Sequence, residues 1–129
     1  MKVLSVASEC VPFVKTGGLA DVAGALPGAL AAQGVDMRVL LPGYPALDRV
    51  IATGRPVATL PDLPGGPARV VQTAAAGMTV CILDAPHLFA RDGGLYGDGA
   101  AAGPDNPERF AALSLAAARI AATGLDGWK

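Results

Sequence analysis

A glycine pair between an apolar strand pattern and a helix pattern constrains this sequence more than any other feature. Residues 1–8 form a β-rich apolar run, and Gly17 and Gly18 stand directly before a segment whose apolar residues recur at helical spacing. That pattern stops at Gly34, and a second apolar run covers residues 36–41. Strand, glycine loop, helix and strand in this order predict a βαβ unit, in which a helix connects two parallel strands.

Three later segments extend the same sheet. The first run, residues 1–8, is apolar on both of its alternating sets of side chains, which is typical of a central strand buried on two faces. Residues 55–60 and 68–73 predict two short strands that form a hairpin beside the main sheet. Residues 78–83 predict another buried strand.

A final helix is predicted between Asn106, as its N-cap, and Gly124, as its stop. Hydrophobic residues make up 52% of the chain but aromatic residues only 5%, so alanine, valine and leucine must supply most of the packing. This composition is typical of α/β proteins, and 129 residues provide for one compact domain.

Charge and cysteine content exclude several classes of function. Ten basic and eleven acidic side chains nearly cancel, which argues against a nucleic-acid or membrane-surface partner. No apolar stretch has the length of a membrane span, and the first residues lack the features of a signal or transit peptide. Cys10 and Cys81 belong to no CxxC or Cys/His cluster, so we expect neither a disulfide nor a bound metal. This cysteine content fits a reducing compartment, and we expect a cytoplasmic protein.

The loop before the predicted helix has the chemistry of a phosphate site. Gly17 and Gly18 have no Cβ, so backbone N–H groups there can approach a ligand closely, and the helix directs the positive end of its dipole at the same place. Lys15 adds a charge on a long stem, which suits a diphosphate. On these residues alone, a tight turn with a solvated lysine remains an open alternative.

A long segment around this loop identifies a family. Residues 8–27, SECVPFVKTGGLADVAGALP, resemble the opening signature of bacterial glycogen and starch synthases. Residues 38–42, 83–86 and 95–98 resemble later segments of the same family in the same order, whereas residues 44–77 resemble it poorly. The resemblance therefore covers most of the chain.

The resemblance implies a fold and a reaction. The family has two Rossmann-like α/β domains of the GT-B type, each a mostly parallel sheet with flanking helices, that face each other across a cleft. Residues 1–129 would be part of the amino-terminal domain, and the carboxy-terminal donor-binding domain would be missing from this sequence. The reaction transfers glucose from ADP-glucose to the non-reducing end of an α-1,4-glucan such as glycogen, with retention and without a metal or other cofactor. We expect this chain alone to be inactive.

The resemblance also implies which residues line the cleft. The residues expected to contact the donor diphosphate or to shape the loop around it are Lys15, Gly17 and Gly18. The residues expected nearer the glucosyl and acceptor side are Tyr96, for substrate binding, and Glu9 and Asp21, as candidate catalytic residues.

Each of the last three residues also has an ordinary alternative. Glu9 could be a solvated residue after a strand, and Asp21 could complement the positive end of the helix. Tyr96 could anchor a loop through its ring. The chain has Leu95 where the family usually has a proline before this tyrosine. His87, without a second histidine or a metal-ligand spacing, is expected to be structural.

Two other functions remain open from the sequence. One is a non-catalytic glucan- or nucleotide-binding module from a truncated gene. The other is a related glycosyltransferase that uses a UDP-sugar, because most donor contacts of the family lie outside the segment that this chain resembles.

Overall fold

A computed structural model describes residues 1–91, 93–97 and 103–128. The five strands are β1 Lys2–Val6, β2 Asp36–Pro42, β3 Arg55–Leu60, β4 Ala68–Ala75 and β5 Met78–Asp84. The helices are α1 Gly18–Ala31, α2 Asp48–Thr53, α3 Pro86–Phe89 and α4 Asn106–Thr123, and a short 3₁₀ helix at Pro45–Leu47 precedes α2. None of the helices in these ranges has the length and apolar character needed to cross a bilayer.

The strands form one mixed sheet in the order β1-β2-β5-β4-β3. β1, β2 and β5 are parallel, as the βαβ pattern predicts, with Val6 beside Leu40 and Leu40 beside Cys81. The predicted hairpin is confirmed as β3 and β4, and its second strand pairs antiparallel with β5, so the hairpin extends the sheet. The α/β architecture with flanking helices is confirmed.

The prediction that the first strand lies at the centre of the sheet is wrong for the described residues. Among the five described strands, β1 pairs with β2 alone, at one end of the strand order, and its side chains are partly exposed. An apolar pattern reports how well a strand can be buried, but it does not specify how many neighbours the strand has.

Alternate side chains of the parallel strands enter two separate cores. Val39 and Leu41 of β2 point to the face covered by α1 and α2, whereas Leu40 points to the face covered by α3 and α4. Cys10 and Cys81 are completely buried free thiols, one in each core. The layers are therefore helix, sheet and helix, as expected for a βαβ fold.

Helix α1 packs with its small residues. The helix is confirmed, yet Leu19 and Val22 from its apolar pattern are 54% and 61% exposed, while Ala20 and Ala23 face the protein. Gly24 explains how close the helix lies, because a Cβ there would be 2.4 Å from the carbonyl oxygen of Val11. The apolar pattern thus predicted the helix but not the face that it buries.

Helix α4 ends as predicted but begins differently. Gly124 follows its last turn with φ of 79°, a conformation that favours glycine. The prediction of Asn106 as N-cap is wrong, since Asp105 occupies that position and Asn106 is the first helical residue. The Asn106 side chain instead donates to the backbone carbonyl of Tyr96 and accepts from Arg109.

Candidate functional site

The loop between β1 and α1 lies beyond the carboxyl end of β1 and is anchored along its length. Backbone N–H groups of Cys10 and Val14 each donate to the other residue's carbonyl at 3.0 Å. The hydroxyl of Tyr44, a buried residue beyond the end of β2, donates to the carbonyl of Ser8 at 2.7 Å. The carboxyl ends of two neighbouring parallel strands therefore hold this loop, which is where ligands bind in open α/β sheets.

Glu9 is the most densely bonded side chain of this loop. It is 2% exposed. Its Oε1 accepts hydrogen bonds from the backbone N–H groups of Thr16 and Gly17, at 3.1 and 3.0 Å. Its Oε2 accepts from the hydroxyls of Thr16 and Tyr96, at 2.5 and 2.6 Å. None of these four donors belongs to a charged side chain.

The bonding of Glu9 fixes its charge. Burial alone would raise the pKa of Glu9, but hydrogen bonds from the hydroxyls of Thr16 and Tyr96 and from the backbone N–H groups of Thr16 and Gly17 lower it to about 2. The carboxylate is therefore ionised at neutral pH. Local dipoles, rather than a counter-ion, compensate for its removal from water.

Tyr96 is held from two sides. Its hydroxyl donates to Glu9 and lies 2.7 Å from the hydroxyl oxygen of Ser8, so Ser8 supplies the proton of the second bond. Its ring centroid lies 5.8 Å from that of Phe110 in α4, and its carbonyl accepts from Asn106 at 2.6 Å. Burial and the bond to Glu9 raise the pKa of Tyr96. The tyrosine thus packs through its ring and also presents a partly exposed edge at the site.

Lys15 and Asp21 form an ion pair at the mouth of this loop. The Nζ atom of Lys15 donates to both carboxylate oxygens of Asp21, at 2.8 and 2.7 Å. Both side chains are about half exposed, at 50% and 55%. A ligand from solution can reach either group, and the aspartate, in the first turn of α1, also complements the helix dipole.

The glycine pair leaves open space in front of the helix. A Cβ on Gly17 or Gly18 would meet nothing within 4 Å, and Gly17 has an extended backbone with φ of −162°. Neither backbone strain nor internal crowding therefore requires glycine at these positions. The close approach of a ligand to the backbone would require it.

Sequence reasoning missed Thr16 and Ser8, although both lie in the recognised segment. Thr16 donates twice to Glu9, once from its backbone and once from its hydroxyl. Their roles depend on Glu9 and Tyr96 folding together, and no local spacing shows that. His87 is exposed on α3, away from the hydrogen bonds of this site. Asp98, the last residue of the segment at 95–98, lies outside the described residues.

A second concave region lies at the opposite end of the sheet. It is a groove of about 460 Å³ between Pro27 and Gly28 of α1 and the turn at Gly77. Small residues such as Ala74 line it, and Asp36 is the one ionisable side chain among the described residues of its lining. We place the candidate site at the Lys15 loop, because the polar and charged groups converge there.

Comparisons with known proteins agree on one family. Residues 2–129 match the family model of the starch synthase catalytic domain. A glycogen synthase of Paracoccus denitrificans (strain Pd 1222) is 62% identical in an alignment 129 residues long that covers 99% of this chain and 28% of that protein. A glycogen synthase of Jannaschia sp. (strain CCS1) is 57% identical over 99% of this chain and 27% of its own length.

A solved structure gives the same result. The catalytic domain of starch synthase IV from Arabidopsis thaliana, bound to ADP and acarbose, aligns with a TM-score of 0.69 and 27% sequence identity. The alignment covers 95% of this chain and 25% of that one. The chain thus spans about a quarter of the length of the relatives that it matches.

Proposed function

Because this chain belongs to the starch synthase catalytic domain family, we propose that it is the amino-terminal part of a glycogen synthase that transfers glucose from ADP-glucose to an α-1,4-glucan with retention. The observation that carries the proposal is the half-exposed Lys15 beside an open glycine pair at the start of α1. The match of residues 2–129 to the family model supports it independently.

Lys15 would bind the donor diphosphate. Its present partner, Asp21, is half exposed, and exchanging such a surface ion pair for another anion costs about 1 kcal/mol or less. Negative charge grows on the departing ADP as the glycosyl bond breaks, so a lysine held at the diphosphate stabilises the transition state more than the ground state. Gly17 and Gly18 would let the diphosphate approach the backbone.

The remaining parts of the proposal concern partners and location. Tyr96 and Asp21 would lie on the glucosyl and acceptor side, and the donor base would be held by a carboxy-terminal domain like that of the longer relatives. The Arabidopsis domain was bound to ADP, which supports an adenine nucleotide as the donor. The protein would work in the cytoplasm, with ADP-glucose as a substrate and without a metal or other cofactor.

Transfer of labelled glucose to glycogen tests this function. We expect a protein that extends this chain to the length of its relatives to use ADP-glucose in preference to UDP-glucose, and this chain alone to transfer neither. Lys15→Ala in the longer protein should lower kcat/KM for ADP-glucose about 100-fold or more. Lys2→Ala, at the exposed start of β1, is the matched control and should leave the rate unchanged. An unchanged rate in Lys15→Ala would contradict the proposed role.

A further inference from the structure

The carboxylate of Glu9 has no acceptor position left for a substrate. An ionised carboxylate offers about four lone-pair sites, and Glu9 accepts four hydrogen bonds from the chain itself. It is also 2% exposed. A proton transfer to or from Glu9 would therefore require the loss of at least one of these bonds.

The four bonds connect Glu9 to one segment that is near in the sequence and to one that is distant. Thr16 is 7 residues from Glu9, and Tyr96 is 87 residues away. Thr16 and Gly17 follow Lys15 directly, and Tyr96 belongs to the loop before α4. The buried carboxylate of Glu9 thus connects two loops through hydrogen bonds. One is the loop between β1 and α1 that contains Lys15, here called the lysine loop, and the other is the loop at residues 93–97 that contains Tyr96, here called the tyrosine loop.

We propose that Glu9 is a positioning residue, with Thr16 as its main partner, and that it holds Lys15 and Tyr96 in fixed relative positions without touching the substrate itself. This inference rests on the proposed glucosyl transfer. A displacement of about 1 Å in a group that stabilises a transition state can lower the rate about 100-fold. The tie therefore acts on the reaction through Lys15.

A pair of substitutions at Glu9 separates positioning from chemistry. In Glu9→Gln, the amide oxygen can face the two N–H groups, and the amide nitrogen can donate to the Thr16 and Tyr96 hydroxyl oxygens, which turn to accept. The longer, active protein carrying Glu9→Gln should therefore keep kcat/KM for ADP-glucose within about fivefold of the wild-type value. Glu9→Ala should lower it about 100-fold. Glu108→Ala, at an exposed glutamate of α4, is the matched control and should change nothing.

The same logic applies to Thr16 with gentler substitutions. Thr16→Ser keeps the hydroxyl that donates to Glu9, whereas Thr16→Val keeps the shape and loses the donor. We expect the serine variant to match the wild type and the valine variant to lose about tenfold in kcat/KM for ADP-glucose.

Two outcomes would contradict these expectations. A Glu9→Gln variant as slow as Glu9→Ala would overturn the proposal, because it would show that the charge of Glu9 acts in the chemistry. Equal rates for the serine and valine variants would overturn the role of Thr16.

Amide hydrogen exchange tests the tie without an activity assay. The N–H groups of Thr16 and Gly17 should exchange faster in Glu9→Ala than in the wild type, and Glu9→Gln should restore most of the protection. Unchanged exchange in Glu9→Ala would overturn the proposal. Absence of glucose transfer by the wild-type protein would instead overturn the proposed function, while the exchange rates would still decide whether Glu9 holds the loop.

Discussion

Glu9 and Arg109 are the charged residues that the described part of the chain buries most completely, at 2% and 3% exposure. They are held in the same way, with uncharged groups as partners. Arg109 donates to the carbonyls of Leu88 and Leu95, at 2.7 and 3.1 Å, and to the side-chain oxygen of Asn106 at 2.7 Å. The four hydrogen bonds that Glu9 accepts within the described ranges come from hydroxyls and backbone N–H groups. In both cases, fixed dipoles replace water around a buried charge.

The difference lies in what surrounds the two charges. The Arg109 guanidinium is 5.3 Å from the ring centroid of Phe89 and 5.5 Å from that of Phe110, inside the core beneath α4. The partners of Glu9 reach the surface, since Thr16 is exposed and Tyr96 is 37% exposed. Both charges hold the loop at residues 93–97, one from the core and one from the open side. Hydrogen bonds from a buried charge to uncharged groups thus stabilise the core at Arg109 and position the groups of the candidate site at Glu9.

The largest effect on stability should come from the core charge. Arg109→Met leaves buried carbonyl oxygens without donors, and we expect the free energy of unfolding to fall by about 3 kcal/mol. Urea unfolding measures the change. Arg119→Met on the same helix removes an exposed ion pair with Asp62 and should have little effect. Equal loss in the two variants would contradict the special role of Arg109.

Glu9→Ala should destabilise the protein less than Arg109→Met. Water can reach the donors that the alanine variant leaves behind, so we expect a loss of about 2 kcal/mol in the same urea experiment. The two substitutions should also differ in activity, since Glu9→Ala acts on the lysine loop. A loss at Glu9 larger than that at Arg109 would reverse the comparison.

The stability of the wild type should depend on pH through Glu9. Its pKa is about 2 in the folded protein and higher in the unfolded chain, so protonation favours unfolding. The contribution of Glu9 is complete above about pH 5 and is lost as the pH falls toward 2. The melting temperature should therefore fall more steeply with decreasing pH in the wild type than in Glu9→Gln. Ion pairs with Arg119 and Arg91 also lower the pKa values of Asp62 and Asp105, but these act equally in both proteins. Parallel curves would contradict this account of Glu9.

Tyr96→Phe should have the smallest effect. It removes one of the four donors to Glu9 but keeps the ring against Phe110, so we expect a loss of about 0.5 kcal/mol. Tyr44→Phe, which removes the bond from the buried Tyr44 side chain to the Ser8 carbonyl, should cost more. Thermal unfolding of the two variants side by side shows whether exposure sets the cost.

Local sequence patterns predicted the strands and the two long helices, but not the short helices α2 and α3 or the surroundings of each element. Apolar periodicity and turn residues predicted α1, the three parallel strands and the hairpin, because these depend on neighbouring residues. The edge position of β1 and the outward direction of Leu19 and Val22 depend on which elements pack against them. Small residues at Ala20 and Ala23 allowed the closer packing, so the larger apolar side chains were left outside.

The candidate site divides in the same way. Lys15 and the glycine pair were identified because they are adjacent and belong to a recognisable segment. Thr16 was missed, and Glu9 was predicted as a candidate catalytic residue rather than as the anchor of the loop, because its bonding includes Tyr96, 87 residues away. Contacts of this kind are set by the folded chain and leave no spacing in the sequence. The roles of Lys15, Gly17 and Gly18 toward the donor diphosphate stay predictions. The same holds for substrate binding by Tyr96 and for Glu9 and Asp21 as candidate catalytic residues.

The ionisation of Glu9 is the most direct test of this account. This chain has two glutamates, Glu9 and Glu108, so the 129-residue chain with carbon-13 in its glutamate side chains gives two side-chain carboxyl signals. The signal that disappears in Glu9→Gln belongs to Glu9. We predict that the Glu9 signal titrates with a pKa of about 2, because the four hydrogen bonds to the carboxylate outweigh the effect of its burial. A midpoint at the ordinary glutamate value, about 4.3, would show that the carboxylate is not held in this way and would contradict the tie between the two loops.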